Sequence, residues 1–455
     1  MLSFKFYISQ FDVNDQLKPN QFVIPRKIAS IWQIQHKMTG KLLFHFLSCD
    51  VEVLIDDTLP DTVVQVEPSI ASHLSLLTHK RVQCIYDYKE KTFHFGPSVG
   101  VVIGDIQDSQ ENPFGTITNY VTEMAKSADA FHFPFHVFSY KDVTGSFIHG
   151  YTLHDGAWKK GTFPLPQVIY NRIGIRNQEK SVKGQDFFRK LTEMNIPYFN
   201  DQFLHKWDTY SHFSKEPTLT PYLPKTRQLK TRQDLTEMLN FASSIYLKPF
   251  WGKEGAGIIK VHKEKGSYFI TYPTDRGWQT KNVKTIDQLV ELLHVRIQKR
   301  QYLIQQSITP LHHLKTPVDF RILCIKNSLG EWQSCSAIAR VGEDNKIVSN
   351  LSQGATQKKA ISLLREFFPE SEAVQIERFL HELAKHGAQV LDRETNGIYG
   401  ELGFDFMLDN DIRVWILEVN IKPSKGDSIQ LAKNTFPSIK LLLGFCEYLT
   451  GFSEY

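Results

Sequence analysis

Glu418 and Asn420 close the apolar run "WILEVN" at residues 415–420, and both carry oxygen atoms that a hard cation accepts. Side chains alternate across a strand, so positions two apart share a face. The longer stretch "IYGELGFDFMLDNDIRVWILEVN" alternates as a hairpin with "LDND" at 408–411 as its turn, which puts Asp405 on the neighbouring strand. Asp405, Glu418 and Asn420 would then supply three oxygen donors at one end of a sheet, the ligand type magnesium takes. A solvated strand-end glutamate followed by Asn-x-x-Pro turn chemistry accounts for the same residues without a metal.

A second group lies earlier in the chain. "GKEGAG", with Gly252, Lys253, Gly255 and Gly257, follows the strand-like "SIYLKPF" that carries Lys248. Glycines let a backbone approach phosphate oxygens, and successive amides form an anion-binding nest. The spacing is not that of a Walker loop, and no helix follows, so a dinucleotide fingerprint is excluded. A glycine-rich hairpin turn is the alternative reading of the loop, and an ordinary surface lysine that of Lys248 and Lys206.

The elements that must position these residues come from periodicity. Residues 1–95 hold short alternating runs ("VEVLIDD", "KTFHFGP") and predict a small β-rich module. Residues 96–203 alternate strand ("GPSVGVVIGD"), helix ("TITNYVTEMAKSADAF") and strand ("HVFSY"), an open α/β unit that ends in "PLPQVIYNRIG" with Arg172 at a strand terminus. Residues 204–455 form the third unit. Within it, "TRQDLTEMLNFA" shows one helical face of Leu235, Met238, Leu239 and Ala242. "IIKVHKE" and "SYFITYP" predict a hairpin, and Thr285 with Gln288 has capping-box spacing ahead of "QLVELLHVRI". "QYLIQQSI", "VDFRILCIK" and "WQSCSAIARV" read as strands, "AVQIERFLHELAKHGAQVL" as a long amphipathic helix, and "SIKLLLGFCEYLTGF" as a helix docking through its leucines and Phe445.

Length and composition bound the rest. The 455 residues allow two or three domains, and the net charge of +4 comes from Lys and Arg spread along the chain, which argues against a nucleic-acid partner. Five scattered cysteines with no CxxC spacing predict buried thiols in a reducing compartment. No apolar run reaches the ~20 residues of a membrane span, and "MLSFKFYISQ" lacks a signal-peptide pattern, so the expected location is cytoplasmic.

In order, Lys206, "LPKT", "YLKPFWGKEGAG", "LIQQSI", "DFRI", "AIAR" and "GFDF…WILEVN" resemble the ATP-grasp superfamily across roughly residues 200–430. "GPSVGVVIGD", "VFSY" and "FPLPQVIYNRIG" extend the likeness to its YheC/YheD-like endospore-coat-associated group. The resemblance implies an α/β and α+β multidomain chain. Its ATP-grasp fold would have two α+β subdomains, about 220–300 and 301–455, that clamp ATP. An open α/β pre-ATP-grasp domain and the β-rich module would precede it. The resemblance also implies residue roles. Lys206 and Lys248 would contact the nucleotide, and Gly252, Lys253, Gly255 and Gly257 would cover its phosphates. Gln305, in place of a common Glu, would read adenine with the backbone of Gln306 and Ile308. Arg321 and Arg340 would hold the terminal phosphate and a carboxylate, and Asp405, Glu418 and Asn420 would hold Mg²⁺. No ribose-binding acid precedes Asp319 in "TPLHHLKTPV", and "NLSQGA" at 350–355 with Ser424 falls where relatives shape the acceptor site.

The activity so implied is an ATP- and Mg²⁺-dependent carboxylate–amine ligation through an acylphosphate. Its partners would be ATP, an unidentified carboxylate and amine (amino acid, peptide or spore polymer), and spore-coat proteins, with location at the endospore coat. Two other readings stand beside it: a coat assembly protein that keeps an ATP-binding fold, and a kinase that phosphorylates a hydroxyl.

Overall fold

The computed structural model describes the chain except residues 1–5, 9, 76–80, 108, 110, 202–203, 253–255, 276, 299, 314–315, 343–355, 426–436 and 455. Four sheets follow one another along it. The first has eight strands, beginning at Phe6–Ile8 and ending at Thr92–Gly96, around a core rich in phenylalanine that includes Phe22, Phe93 and Phe95.

The second sheet is mixed. Strands Val99–Ile103, Phe135–Thr144, Val168–Asn171 and Tyr198–Phe199 run parallel, as the strand–helix alternation predicts. Helix Thr118–Ala130 packs Tyr120, Val121 and Met124 against them. An antiparallel hairpin, Phe147–His154 with Ala157–Pro164, extends one edge and was not anticipated. Its strands are mostly exposed or half-buried and so carry little hydrophobic signal. The cue was the dipeptide Asp155-Gly156, whose φ angles of 52° and 77° give the left-handed pair that a tight hairpin turn needs.

The third sheet is wholly antiparallel, from Thr226–Gln228 to Tyr302–Gln306. Helix Arg232–Phe241 buries Leu235, Met238 and Leu239 on it, with Ala242 as the C-terminal cap. Thr285 and Gln288 form the expected capping box of helix Ile286–Ile297. Strand Gly277–Val283 was not anticipated; its polar, exposed pattern hides it.

The fourth sheet joins Thr316–Lys326, Trp332–Val341, Thr356–Lys359, Glu401–Leu408 and Val414–Asn420, all antiparallel. Helix Glu370–Glu394 covers one face, setting Leu380, Leu383, Ala384 and Leu391 against Phe320, Ile322, Phe404 and Phe406. Each such leucine, fully buried, contributes roughly 1.5–3 kcal/mol. The last helix, Pro437–Leu449, docks through Leu442, Leu443 and Phe445 as expected. It fills one core shared by Val99 and Met124 of the second sheet's unit and Leu323 and Ile325 of the fourth sheet. All five cysteines are free, with Cys84, Cys324 and Cys446 buried.

Candidate active site

A cavity of ≈ 220 Å³ opens where the third and fourth sheets face each other, and Lys206, Lys248, Gly252, Gln305, Glu418 and Asn420 are in its wall. Strand Ser244–Pro249 alternates strictly, burying Ile245, Leu247 and Pro249 and leaving Lys248 on the half-buried face. Lys248 Nζ donates to Gln305 Oε1 at 2.5 Å, and Gln305 Nε2 donates to Thr226 Oγ1 at 3.1 Å. Gln305 therefore holds the lysine in place. Burial lowers the Lys248 pKa to about 8, with Glu418 opposing and the Lys206 charge adding to the fall.

Lys206 opens helix Lys206–Phe213, whose first turn is capped by His205. Its Nζ lies 2.9 Å from Glu418 Oε2 and 3.4 Å from the Gly252 carbonyl, so one ammonium ties the glycine turn to the "WILEVN" strand. Gly257 has φ +76°, the left-handed conformation a glycine takes without strain, and its carbonyl accepts from Tyr302 Oη at 3.0 Å. Lys253, Gly255 and the "NLSQGA" segment lie outside the described residues.

The hairpin of Asp405 and Glu418 forms with those two residues as direct cross-strand partners. The register shifts between Asp405 and Phe406, which pairs with Ile416, leaving Leu417 as an extra residue. Without that bulge, Glu418 would share the core-facing side of Ile416. The bulge instead turns the carboxylate to the Asp405 face. On the other side Asp405 pairs with Arg321, giving one charged row across three strands. Arg321 Nε and Nη2 grip the Asp405 carboxylate at 2.7 and 2.8 Å, Arg340 Nη2 stands 3.2 Å from Oδ2, and Asn420 Nδ2 donates to Oδ2 at 3.1 Å. Arg340 is anchored by Asp319 at 2.5 Å. Burial raises the Asp405 pKa, but the two guanidiniums outweigh it and hold the group well below the ordinary carboxylate range.

Asp405, Glu418 and Asn420 are thus brought together, and two carboxylates with an amide oxygen are a donor set that fits magnesium. Among the described residues no group of three or more His, Cys, Asp or Glu side chains could hold a metal. Arg321 and Arg340 are brought to Asp405 and are absent from the described cavity wall. Gln306 spends its backbone N–H on the Lys225 carbonyl at 2.9 Å, and Ile308 is half-buried away from the wall. Sequence reasoning did not single out Arg176 and Trp251, which line the cavity, nor the anchoring role of Asp319. Only the aromatic placed directly before the glycine turn offered a signal.

The sequence model of the YheC/D like ATP-grasp family matches residues 195–449, and the chain belongs to that family. Its fold is accordingly the multidomain α/β ATP-grasp architecture. Endospore coat-associated protein YheD of Bacillus subtilis (strain 168) is 28% identical over 365 residues, 78% of this chain and 78% of the relative. Endospore coat-associated protein YheC of the same organism is 24% identical over 342 residues, 74% of this chain and 93% of its own. The D-alanine-D-alanine ligase structure from Coxiella burnetii superposes with a TM-score of 0.48 at 11% identity, covering 79% of this chain and 96% of that one.

Proposed function

We propose that the chain is a magnesium- and ATP-dependent carboxylate–amine ligase that works through an acylphosphate on an amino acid, peptide or spore polymer. The observation that carries this reading is the single cavity whose wall combines two lysines and a glycine turn from one side with Glu418 and Asn420 from the other. Lys206 and Lys248 bind the phosphates. Gly252, Lys253, Gly255 and Gly257 cover them, and Gln305, the member of the hinge in the cavity wall, borders the adenine. In this reading Arg321 and Arg340 reach the terminal phosphate and the carboxylate by exchanging their pairing with Asp405 and Asp319 for the ligand, a change of partner within the same bidentate geometry. Asp405, Glu418 and Asn420 hold magnesium, which when bound offsets the charge of the phosphates as the γ-phosphoryl moves.

The substrate carboxylate oxygen bonds to the γ-phosphorus as the bond to the β–γ bridging oxygen breaks, releasing ADP. The amine nitrogen then bonds to the acyl carbon, phosphate leaves, and the nitrogen's proton passes to solvent. No protein nucleophile is needed; the chain supplies position and charge. The working units are 1–95, 96–203 and 204–455, the last split into a flap part (about 220–300) and a metal-binding part (about 301–455). Location in the cytoplasm and at the spore coat, with coat proteins as partners, is proposed on the two coat-associated relatives. Among the described residues no helix is long and apolar enough to cross a membrane.

The test is thermal unfolding with and without Mg·ATP, for wild type and for Glu418→Ala combined with Asn420→Ala. Ligand at a hundredfold excess over Kd stabilises by about 2.7 kcal/mol, an effect expected in wild type with magnesium and absent from the double variant. A folded wild type that gains nothing from Mg·ATP sinks the proposal. Hydroxylamine then separates ligase from kinase, because only an acylphosphate yields a carboxylate-dependent hydroxamate.

A further inference from the structure

Four cationic side chains line the cavity: Arg176, Lys206, Lys248 and Lys422. Three are engaged. Lys206 pairs with Glu418 at 2.9 Å, Lys248 donates to Gln305 at 2.5 Å, and Lys422 pairs with Glu179 and donates to the Ile173 carbonyl at 3.1 Å. The Arg176 side chain has no hydrogen-bond or ion-pair partner among the described residues, and its Nε is shielded from solvent with no acceptor. Its guanidinium sits over the Trp251 ring, with Cζ 3.2 Å from the ring centroid, and His205 braces that ring edge-on at 4.9 Å. A cation–π contact uses none of a guanidinium's N–H donors, so those that reach the cavity stay available for a carboxylate or phosphate. The fixed cation is thus oriented and uncompensated, and it is contributed by the short helix Arg176–Glu179 of the second sheet's unit.

We infer that Arg176 is a specificity-determining residue that holds an anionic group of the non-nucleotide substrate, so that the α/β unit and not the ATP-binding sheets selects that substrate. The inference rests on the ligase reading for the identity of the cavity. Arg321 and Arg340 are committed to Asp405 and Asp319, and Lys248 is placed for the nucleotide, which leaves Arg176 as the wall's one unpaired guanidinium among the described residues. Carboxylate is the class favoured, because a planar fork pinned on an aromatic plane matches a planar anion.

The experiment titrates the full-length chain with L-glutamate and with L-glutamine, which keeps the α-carboxylate but has an uncharged side chain, in saturating Mg·ADP. Calorimetry gives the affinity and tryptophan emission reports the environment of Trp251. In wild type glutamate is expected to bind at least tenfold more tightly than glutamine and to change the emission. Arg176→Gln removes that preference while its Mg·ADP affinity stays within twofold of wild type. Arg176→Lys keeps part of the preference, and Trp251→Phe loses the emission change. Affinity for both ligands that is unchanged in Arg176→Gln overturns the inference. So does a variant that loses Mg·ADP instead, since Arg176 would then serve the nucleotide. A folded wild type that fails to bind Mg·ADP yet keeps an Arg176-dependent preference for glutamate defeats the ligase reading and leaves this one standing.

Discussion

Glu401 and Asp405 stand four residues apart on one strand, facing the same way, and each is a carboxylate set against two cations. Glu401 is fully buried. Tyr170 Oη donates to its Oε2 at 2.5 Å, Lys425 pairs with its Oε1, and Arg172 Nη1 lies 3.6 Å away, while Arg172 Nη2 donates to the Pro423 carbonyl at 3.0 Å. Asn200 locks the backbone on either side by donating to the Ile421 carbonyl and accepting from Gly400 N. That cluster ties the second sheet to the fourth. Asp405 holds a similar number of charges, but its row continues to Glu418 and Asn420 in the cavity wall. The difference teaches what separates a structural ion cluster from a chemical one. Charge and burial are alike in both, and what differs is whether the row of charges reaches a space where a ligand can enter.

The largest expected effect is on the sealed cluster. Glu401→Gln leaves Arg172 and Lys425 buried without their counter-charge, and removing one partner of such a pair costs about 3–5 kcal/mol. Urea unfolding is expected to show that loss; a loss under about 1 kcal/mol would erase the distinction drawn here. Asp405→Asn is expected to act the other way round. Mg·ATP-dependent ADP formation falls about 100-fold, equivalent to about 2.7 kcal/mol. Its stability falls by less than half as much as in Glu401→Gln, because Arg340 keeps Asp319. A variant that unfolds but retains its turnover contradicts the assignment.

The smallest effect is graded by pH and compares two lysines. Burial lowers both Lys248 and Lys425 to about 8, from an ordinary value near 10.5. Below about 8 each is charged folded and unfolded. Between the two values only the unfolded chain binds the proton, so these groups make stability rise with pH. Over the same window the Lys248 cation, proposed above to meet the phosphates, is lost. Mg·ATP affinity is therefore expected to fall by up to about tenfold per pH unit above 8. Lys248→Arg, which stays charged, flattens the profile, and Lys425→Arg leaves it unchanged. Calorimetry at pH 7, 8 and 9 decides it. A profile that follows Lys425 would reverse the roles of the two regions.

Much of the site was legible. Strict alternation in "SIYLKPF", the hairpin around 408–414 and the capping box at Thr285 are local, set by periodicity and by hydrogen bonds spanning three or four residues. What escaped were elements of weak local signal, such as the exposed hairpin at 147–164 and strand Gly277–Val283. The placement of Arg321 and Arg340 on Asp405, away from the cavity wall, also escaped, because alternation gives a face and not a neighbour.

By itself the sequence determined the order of the motifs, the donor types at Asp405, Glu418 and Asn420, and the family to which residues 195–449 belong. Those follow from residue identity and short spacing. Only the tertiary structure decided that a bulge at Leu417 turns Glu418 toward Asp405, that Arg172 is sealed against Glu401, and that Arg176 lies on Trp251, 75 positions away in the chain. The reason is physical. A side chain's partner across sheets depends on how whole layers pack and on which buried charges must be compensated, and no local pattern encodes either.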